Sequence, residues 1–274
     1  MNVDSAWDKL YARLKNEGLL VVKNEKAKIV PLIVRMRRVA AVAALCICGG
    51  AMALYLNVKK ESESFVSIRN SDISNTLVST LDDGSIVYLT SGAVLTCPER
   101  FAGDKRHVTL KGEALFDVYG NKNRPFLIET EPALVEVTGT AFNIKSAGKG
   151  SFELSVQHGS VMVTLKSTKI PVRVESGETV RLQADQLQKT WSADQRQFDR
   201  YTEKMQFRDD QLENIVRVMN KISDKPVVLA DDSLKSREIT ITFDNNTIAE
   251  MIEFVCATLG LTYSGDGKEF IIDH

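Results

Sequence analysis

Arg106–Val118 reads RHVTLKGEALFDV, Pro125–Thr130 reads PFLIET and Val135–Ile144 reads VEVTGTAFNI. Apolar and polar residues alternate along these runs, and Lys111-Gly112 and Gly120-Asn121 interrupt them. A period of two is the mark of a half-buried strand, and Gly and Asn pairs at its ends supply turns. The spacing predicts strands at Arg106–Leu110 and Ala114–Val118 with a turn at Lys111-Gly112, then strands at Pro125–Thr130, Ala133–Val137 and Ala141–Lys145.

The same punctuation extends outward. Ser85–Thr90 (SIVYLT) comes before it, and Phe152–Gln157, Ser160–Leu165, Ile170–Val174 and Thr179–Leu182 follow. Turns are expected at Asp82-Asp83-Gly84, Gly148-Lys149-Gly150, His158-Gly159 and Ser176-Gly177. Many short strands without a helix-length periodic segment predict a sandwich, jelly roll or related β fold over residues 75–185.

Upstream, Val39–Leu56 reads VAAVAALCICGGAMALYL, with no charged residue. With Asn57-Val58 it approaches the length needed to cross a bilayer, and Gly49-Gly50 is tolerated in such a helix. A single transmembrane helix is therefore expected over 39–58. Arg35, Arg37 and Arg38 abut its amino-terminal side, whereas Lys59 and Lys60 are followed at once by Glu61 and Glu63. This asymmetry predicts the amino terminus inside and everything after residue 58 outside the cytoplasm.

In the inner segment, 1–38, Trp7, Leu10, Tyr11 and Leu14 recur at i, i+3, i+4 and i+7, one face of a helix. Asp4 or Ser5 is expected to cap it and Gly18 to end it. So short a helix has no core of its own. The four residues are the candidate partner-binding face, and the bilayer surface is the competing occupant.

At the carboxyl end, Phe207 is followed by Leu212, Ile215, Val216 and Met219, and Phe243 by Ile248, Met251, Ile252 and Val255, at the same offsets. The pattern reads as an internal duplication, a βαβ unit repeated over 205–274 with a final strand. Asp210 with Glu213, and Thr247 with Glu250, are expected capping boxes, and Gly260 a helix stop. Stretches 59–74 and 186–204 read as linkers. The overall expectation is a mainly β protein with a small α+β domain.

Lys+Arg is 35 against 36 Asp+Glu, so no basic excess points to direct nucleic-acid contact. The histidines, His107, His158 and His274, have no ligand partner at i+3 or i+4, and no nucleophile elbow, phosphate loop or zinc motif occurs. No metal, cofactor or substrate chemistry is expected. Cys97 and Cys256 stand far apart, and Cys256 lies on an apolar helix face.

Leu81–Leu89 (LDDGSIVYL), Cys97–Phe101 (CPERF), Arg106–Val118, Pro125–Thr130 and Val135–Ile144 together resemble the FecR family, with Leu154, Val156, Gly159, Val161 and Gly177-Glu178 continuing in register. The carboxyl-terminal pattern is similar to the end domain of Bacteroidetes-type FecR proteins and to the short amino-terminal domain of secretins and TonB-dependent transducers. The resemblance implies an inner-membrane anti-sigma factor. It would hold an extracytoplasmic-function sigma factor inside and read the signalling domain of a TonB-dependent receptor in the periplasm, controlling iron or glycan uptake genes. Such regulators usually have a longer inner region, and 1–38 resembles only its juxtamembrane end. A membrane-tethered periplasmic scaffold or assembly protein without a sigma partner is the alternative. The family also implies possible self-cleavage between Gly139 and Thr140, by attack of the hydroxyl on the preceding carbonyl. A plain tight turn is the other reading of Gly-Thr.

Overall fold

The computed structural model describes residues 3–19, 43, 46–52, 64–148, 150–191, 195–265 and 267–274. These fall into two compact units, Met1–Glu61 and Ser62–His274.

In the first unit, α1 spans Val3–Asn16 and buries none of its residues. It begins before both expected caps: Asp4 and Ser5 lie inside its first turn, where Asp4 places a carboxylate near the free amides. Gly18 ends it at φ 66°, with the Leu19 amide donating to the Leu14 carbonyl. The expected membrane span, 39–58, lies mostly outside the described residues. Residues 43 and 46–52 are helical. Among the described residues no helix is long and apolar enough to cross a membrane.

The second unit is mainly β. Its strands are β1 (Phe65–Arg69), β2 (Thr76–Thr80), β3 (Ile86–Leu89), β4 (Val94–Pro98), β5 (Arg106–Asp117), β6 (Phe126–Glu129) and β7 (Ala133–Val137). Then come β8 (Ala141–Ser146), β9 (Glu153–His158), β10 (Ser160–Leu165), β11 (Pro171–Glu175), β12 (Glu178–Gln183) and β13 (Gln186–Trp191). One side of the sandwich runs β1-β4-β5-β6-β7-β10-β11 and the other β13-β12-β9-β8-β5-β3-β2. The long strand β5 belongs to both. The turn expected at Lys111-Gly112 is instead a bend inside this strand. Gly112 takes φ 99°, and a Cβ there would stand 2.9 Å from Ala93 Cα. Only glycine lets the strand pass so close while it turns from one layer to the other.

Between the layers, Phe116 stacks on Phe142 at 5.6 Å, and Phe126 meets Phe101 edge-on at 5.7 Å. Alternation places Val87, Leu89, Val108, Leu110 and Phe116 in this core.

The remaining elements are α2 (Arg200–Glu203), β14 (Lys204–Gln211), α3 (Leu212–Ile222), β15 (Val227–Leu229), β16 (Glu238–Asp244), α4 (Ile248–Leu259), β17 (Thr262–Gly265) and β18 (Phe270–Asp273). The expected repeat of βαβ units is not what forms. The strands before the two helices, β14 and β16, pair with each other antiparallel, with Phe207 edge-on to Phe243 at 6.0 Å. The strands after the helices, β15 and β17, flank β18 in a separate three-stranded sheet. Each helix therefore links two different sheets rather than crossing over one. The reason lies in β14, which adds in parallel to β2, with Met205 opposite Thr76 and Gln206 opposite Leu77.

A second core forms there. Val78, Ile86, Tyr88 and Leu115, on the outer face of the sandwich, pack with Phe207, Leu212, Ile215, Met219, Ile252 and Val255. All four residues of β3 are buried. A strand covered on both faces reads as an unbroken apolar run, which Ile86–Leu89 does.

Both stretches read as linkers contribute to this unit. The first carries β1, and the second carries β13 and the buried Phe198 and Tyr201. Edge strands need little apolar patterning, so composition alone hides them. At α4, Thr247 and Glu250 form the expected capping box. At α3 the expected one is absent, because Gln211 is the N-cap and makes no side-chain cap hydrogen bond. Asp210 instead accepts from the Gln211 amide and Asn214 Nδ2.

Candidate interaction surfaces

The spacing of Trp7, Leu10, Tyr11 and Leu14 places all four on one side of α1. Trp7 is 65% exposed, Leu10 47% and Tyr11 63%, and Leu14 is half-buried. Large apolar side chains left this open on one helix face have the form of an anchor for a groove. On the polar side Arg13 pairs with Glu17 at 3.5 Å, one turn apart.

Gly139 and Thr140 lie where β7 passes into β8. Gly139 adopts φ 152°, and a Cβ on it would stand 2.7 Å from Gly120 Cα. Gly159, at φ 86°, presses from another side: a Cβ there would stand 3.1 Å from the Gly139 oxygen and 3.0 Å from Thr140 Oγ1. The Thr140 hydroxyl is buried and donates to the Ser160 carbonyl at 3.0 Å. The Val118 amide donates to the Thr140 carbonyl, and the Asn121 amide to that of Thr138. Gly120 and Gly159 thus clasp the Gly139–Thr140 peptide bond, whose following side chain carries a hydroxyl.

Nearby, Arg106 is 1% exposed, a site that the sequence reading missed. Its Nη1 donates to Asp83 Oδ2 at 2.6 Å and to the Tyr119 carbonyl at 2.9 Å, and its Nε to the Arg124 carbonyl. The guanidinium also stands over the Phe126 ring at 5.3 Å. Asp83 accepts from the Ser85 amide and hydroxyl as well, so it caps its turn and neutralises the arginine at once. The signal was present: Arg106, Val108 and Leu110 share one face of the strand, so alternation carries the cation inside with the apolar residues. A cleft lies beside this pair, lined by Asp83, Asp117, Tyr119 and Gly120 and by Arg217 and Lys221 of α3. Lys221 Nζ and Asp117 Oδ2 stand 2.8 Å apart there.

Burial pushes the Cys97 thiol up, reinforced by Asp83, and burial also raises Cys256. Both are the form of inert core thiols. His107 stands 3.5 Å from Glu129 on an exposed surface, and His274 Nε2 lies 3.3 Å from Ser233 Oγ. Among the described residues no three His, Cys, Asp or Glu side chains gather as a metal site would need.

Strands β15 and β17 end their sheet, and β16 ends the larger one. In β15, Val228 is 41% exposed. Edges of this kind can accept an added strand.

No curated protein sequence matches the chain significantly. Two crystal structures of a candidate anti-sigma factor from Parabacteroides distasonis ATCC 8503 are similar to it. The one at 2.50 Å shares 22% identity at a TM-score of 0.47, covering 77% of this chain and 99% of that one. The one at 1.65 Å shares 22% at 0.45, covering 76% and 98%. A family model described as FecR protein matches residues 71–162, and one described as FecR, C-terminal, matches 204–272. The first spans β2 to β10 and the second β14 to β18, so together they take up both cores and more than half of the chain. The chain belongs to the FecR family.

Proposed function

We propose that this chain is a single-pass inner-membrane anti-sigma factor. In this reading α1 holds an extracytoplasmic-function sigma factor in the cytoplasm, residues 39–58 cross the membrane, and the β-rich unit reads a TonB-dependent receptor in the periplasm. The observation that carries the reading is the open aromatic face of α1 in a chain of the FecR family. Trp and Tyr dominate many such contacts. Capture of the neighbouring sigma factor by the detergent-solubilised full chain tests it. Trp7→Ala and Leu14→Asp are expected to weaken capture at least about tenfold, in line with the burial of one large apolar side chain. If the wild-type chain captures no sigma factor, the scaffold reading replaces this one.

Outside, the receptor's signalling domain would add a strand to an open edge of the C-terminal region. Thr242 lies in β16 opposite Gln206, where the antiparallel register turns its amide to the open edge, and a proline there removes an edge donor. Thr242→Pro is expected to abolish receptor binding while circular dichroism stays native. Unchanged binding by folded variant would exclude the β16 edge.

A second event is supported by the backbone at Gly139. Thr140 Oγ1 would attack the Gly139 carbonyl carbon and pass its proton to the departing amide nitrogen. The resulting ester would be hydrolysed by water to a Gly139 carboxylate and a chain beginning at Thr140. A positive φ under close packing on two sides supports such a shift. Wild-type protein is then expected to split between Gly139 and Thr140, and Thr140→Ala to stay whole. An intact wild type would leave Gly139 a purely structural glycine.

A further inference from the structure

The two regions matched by the family models share apolar surface rather than meeting across a wet seam. Ile86, Tyr88 and Leu115 of the sandwich are 1%, 3% and 6% exposed, and Ile215 and Met219 above them 0% and 1%. Hinged domains usually touch through smaller and more polar contacts. Backbone pairing runs through the junction as well, from β2 into β14.

A polar latch completes it. Tyr201, fully buried in the stretch between the two regions, donates its hydroxyl to Glu113 of β5 at 2.6 Å. It accepts from Asn143 Nδ2 of β8 at 2.9 Å and from Arg200 Nη2 at 3.0 Å. Arg200 also pairs with Glu113. Asn143 in turn accepts from the Ser155 amide of β9 at 3.1 Å. One tyrosine therefore ties the connecting segment to three neighbouring strands.

We propose that the C-terminal region is the permanent third layer of one cooperative unit spanning 62–274, and not a receptor-binding arm on a hinge. Undocking it would bare Val78, Ile86, Tyr88 and Leu115 together and orphan the Tyr201 network, so docking and folding are the same event. Force or ligand at the C-terminal strands is then carried into β5 as a rigid displacement. The end of β5 leads into Val118, whose amide holds Thr140. Closure of this kind holds whichever partner binds outside.

Hydrogen exchange read by mass spectrometry on the detergent-solubilised full chain tests the proposal. Ile252→Ala alters α4 in the second core, and Val163→Ala alters β10 in the first; both residues are 0% exposed. Each variant is expected to speed the slowest exchange in β8, β10 and α4 by one common factor, about tenfold or more. The milder Ile252→Val serves if the alanine variant does not fold, with a smaller common factor. Either isoleucine variant speeding α4 while β8 and β10 keep wild-type rates would overturn the proposal, since the layers would then open separately.

Discussion

Arg106 and Asp83 show how one residue can decide a local structure. Two charges at 1% and 8% side-chain exposure are held because each compensates the other and Nη1 and Nε of Arg106 also reach carbonyls, although its buried Nη2 finds no hydrogen-bond partner. Removing one leaves the other buried and uncompensated, which costs about 3–5 kcal/mol. Asp83→Ala is expected to lose stability on that scale in urea unfolding. A loss below about 1 kcal/mol would mean that water reaches the guanidinium. Gly139 makes the complementary case through space. Gly139→Ala forces a Cβ to 2.7 Å from Gly120 Cα at φ 152° and is expected to cost more than about 1 kcal/mol. Gly92→Ala, also at positive φ (74°) but with nothing within 4 Å, is the matched control, expected to lose less. Equal losses for the two would show that backbone freedom, not the contact, sets the requirement.

At the scale of elements, charge stitches strands that apolar packing aligns. Glu153 of β9 reaches Lys145 of β8 at 3.0 Å and Arg181 of β12 at 2.5 Å. Burial pushes its carboxyl up, but the hydrogen bonds from Arg181 and Lys145 outweigh this and leave it below the usual 4.5. A depressed folded-state pKa contributes stability above the unfolded value, lost as pH falls through the folded one. Glu153→Gln is therefore expected to be less stable at neutral pH and to lose less on acidification below 4.5. Parallel acid-unfolding curves for variant and wild type would contradict the linkage. In α4, Thr247→Ala removes the acceptor for the Glu250 amide and is expected to cost about 1 kcal/mol, read from thermal unfolding.

Across the whole molecule, the proposed function depends on which side of a membrane each unit would occupy. The charge bias around 39–58 predicts that alkaline phosphatase fused after His274 is active. An active cytoplasmic reporter at that point, with a silent phosphatase, would reverse the assignment. Joined to the cooperative unit proposed above, the proposed topology would give one periplasmic reader and a separate inner helix.

Much of this was legible in residue order, because alternation and helical spacing are local physics. SIVYLT, RHVTL and PFLIET declared strands, Trp7 to Leu14 a helix face, and Thr247 with Glu250 a cap, each within a few residues of itself. Gly139 was singled out, although its reason, the Cα of Gly120 19 residues away, was not visible. Tertiary structure alone decided what required distant partners. It turned Gly112 from a loop signal into the bend of β5, paired Arg106 with Asp83, and brought Tyr201 out of an apparent linker into a buried network. It also sent β14 to β2, which covered both faces of β3 and replaced two expected βαβ units with a third layer. Sequence period fixes which side chains share a face, but what covers that face is set by contacts between residues far apart in the chain.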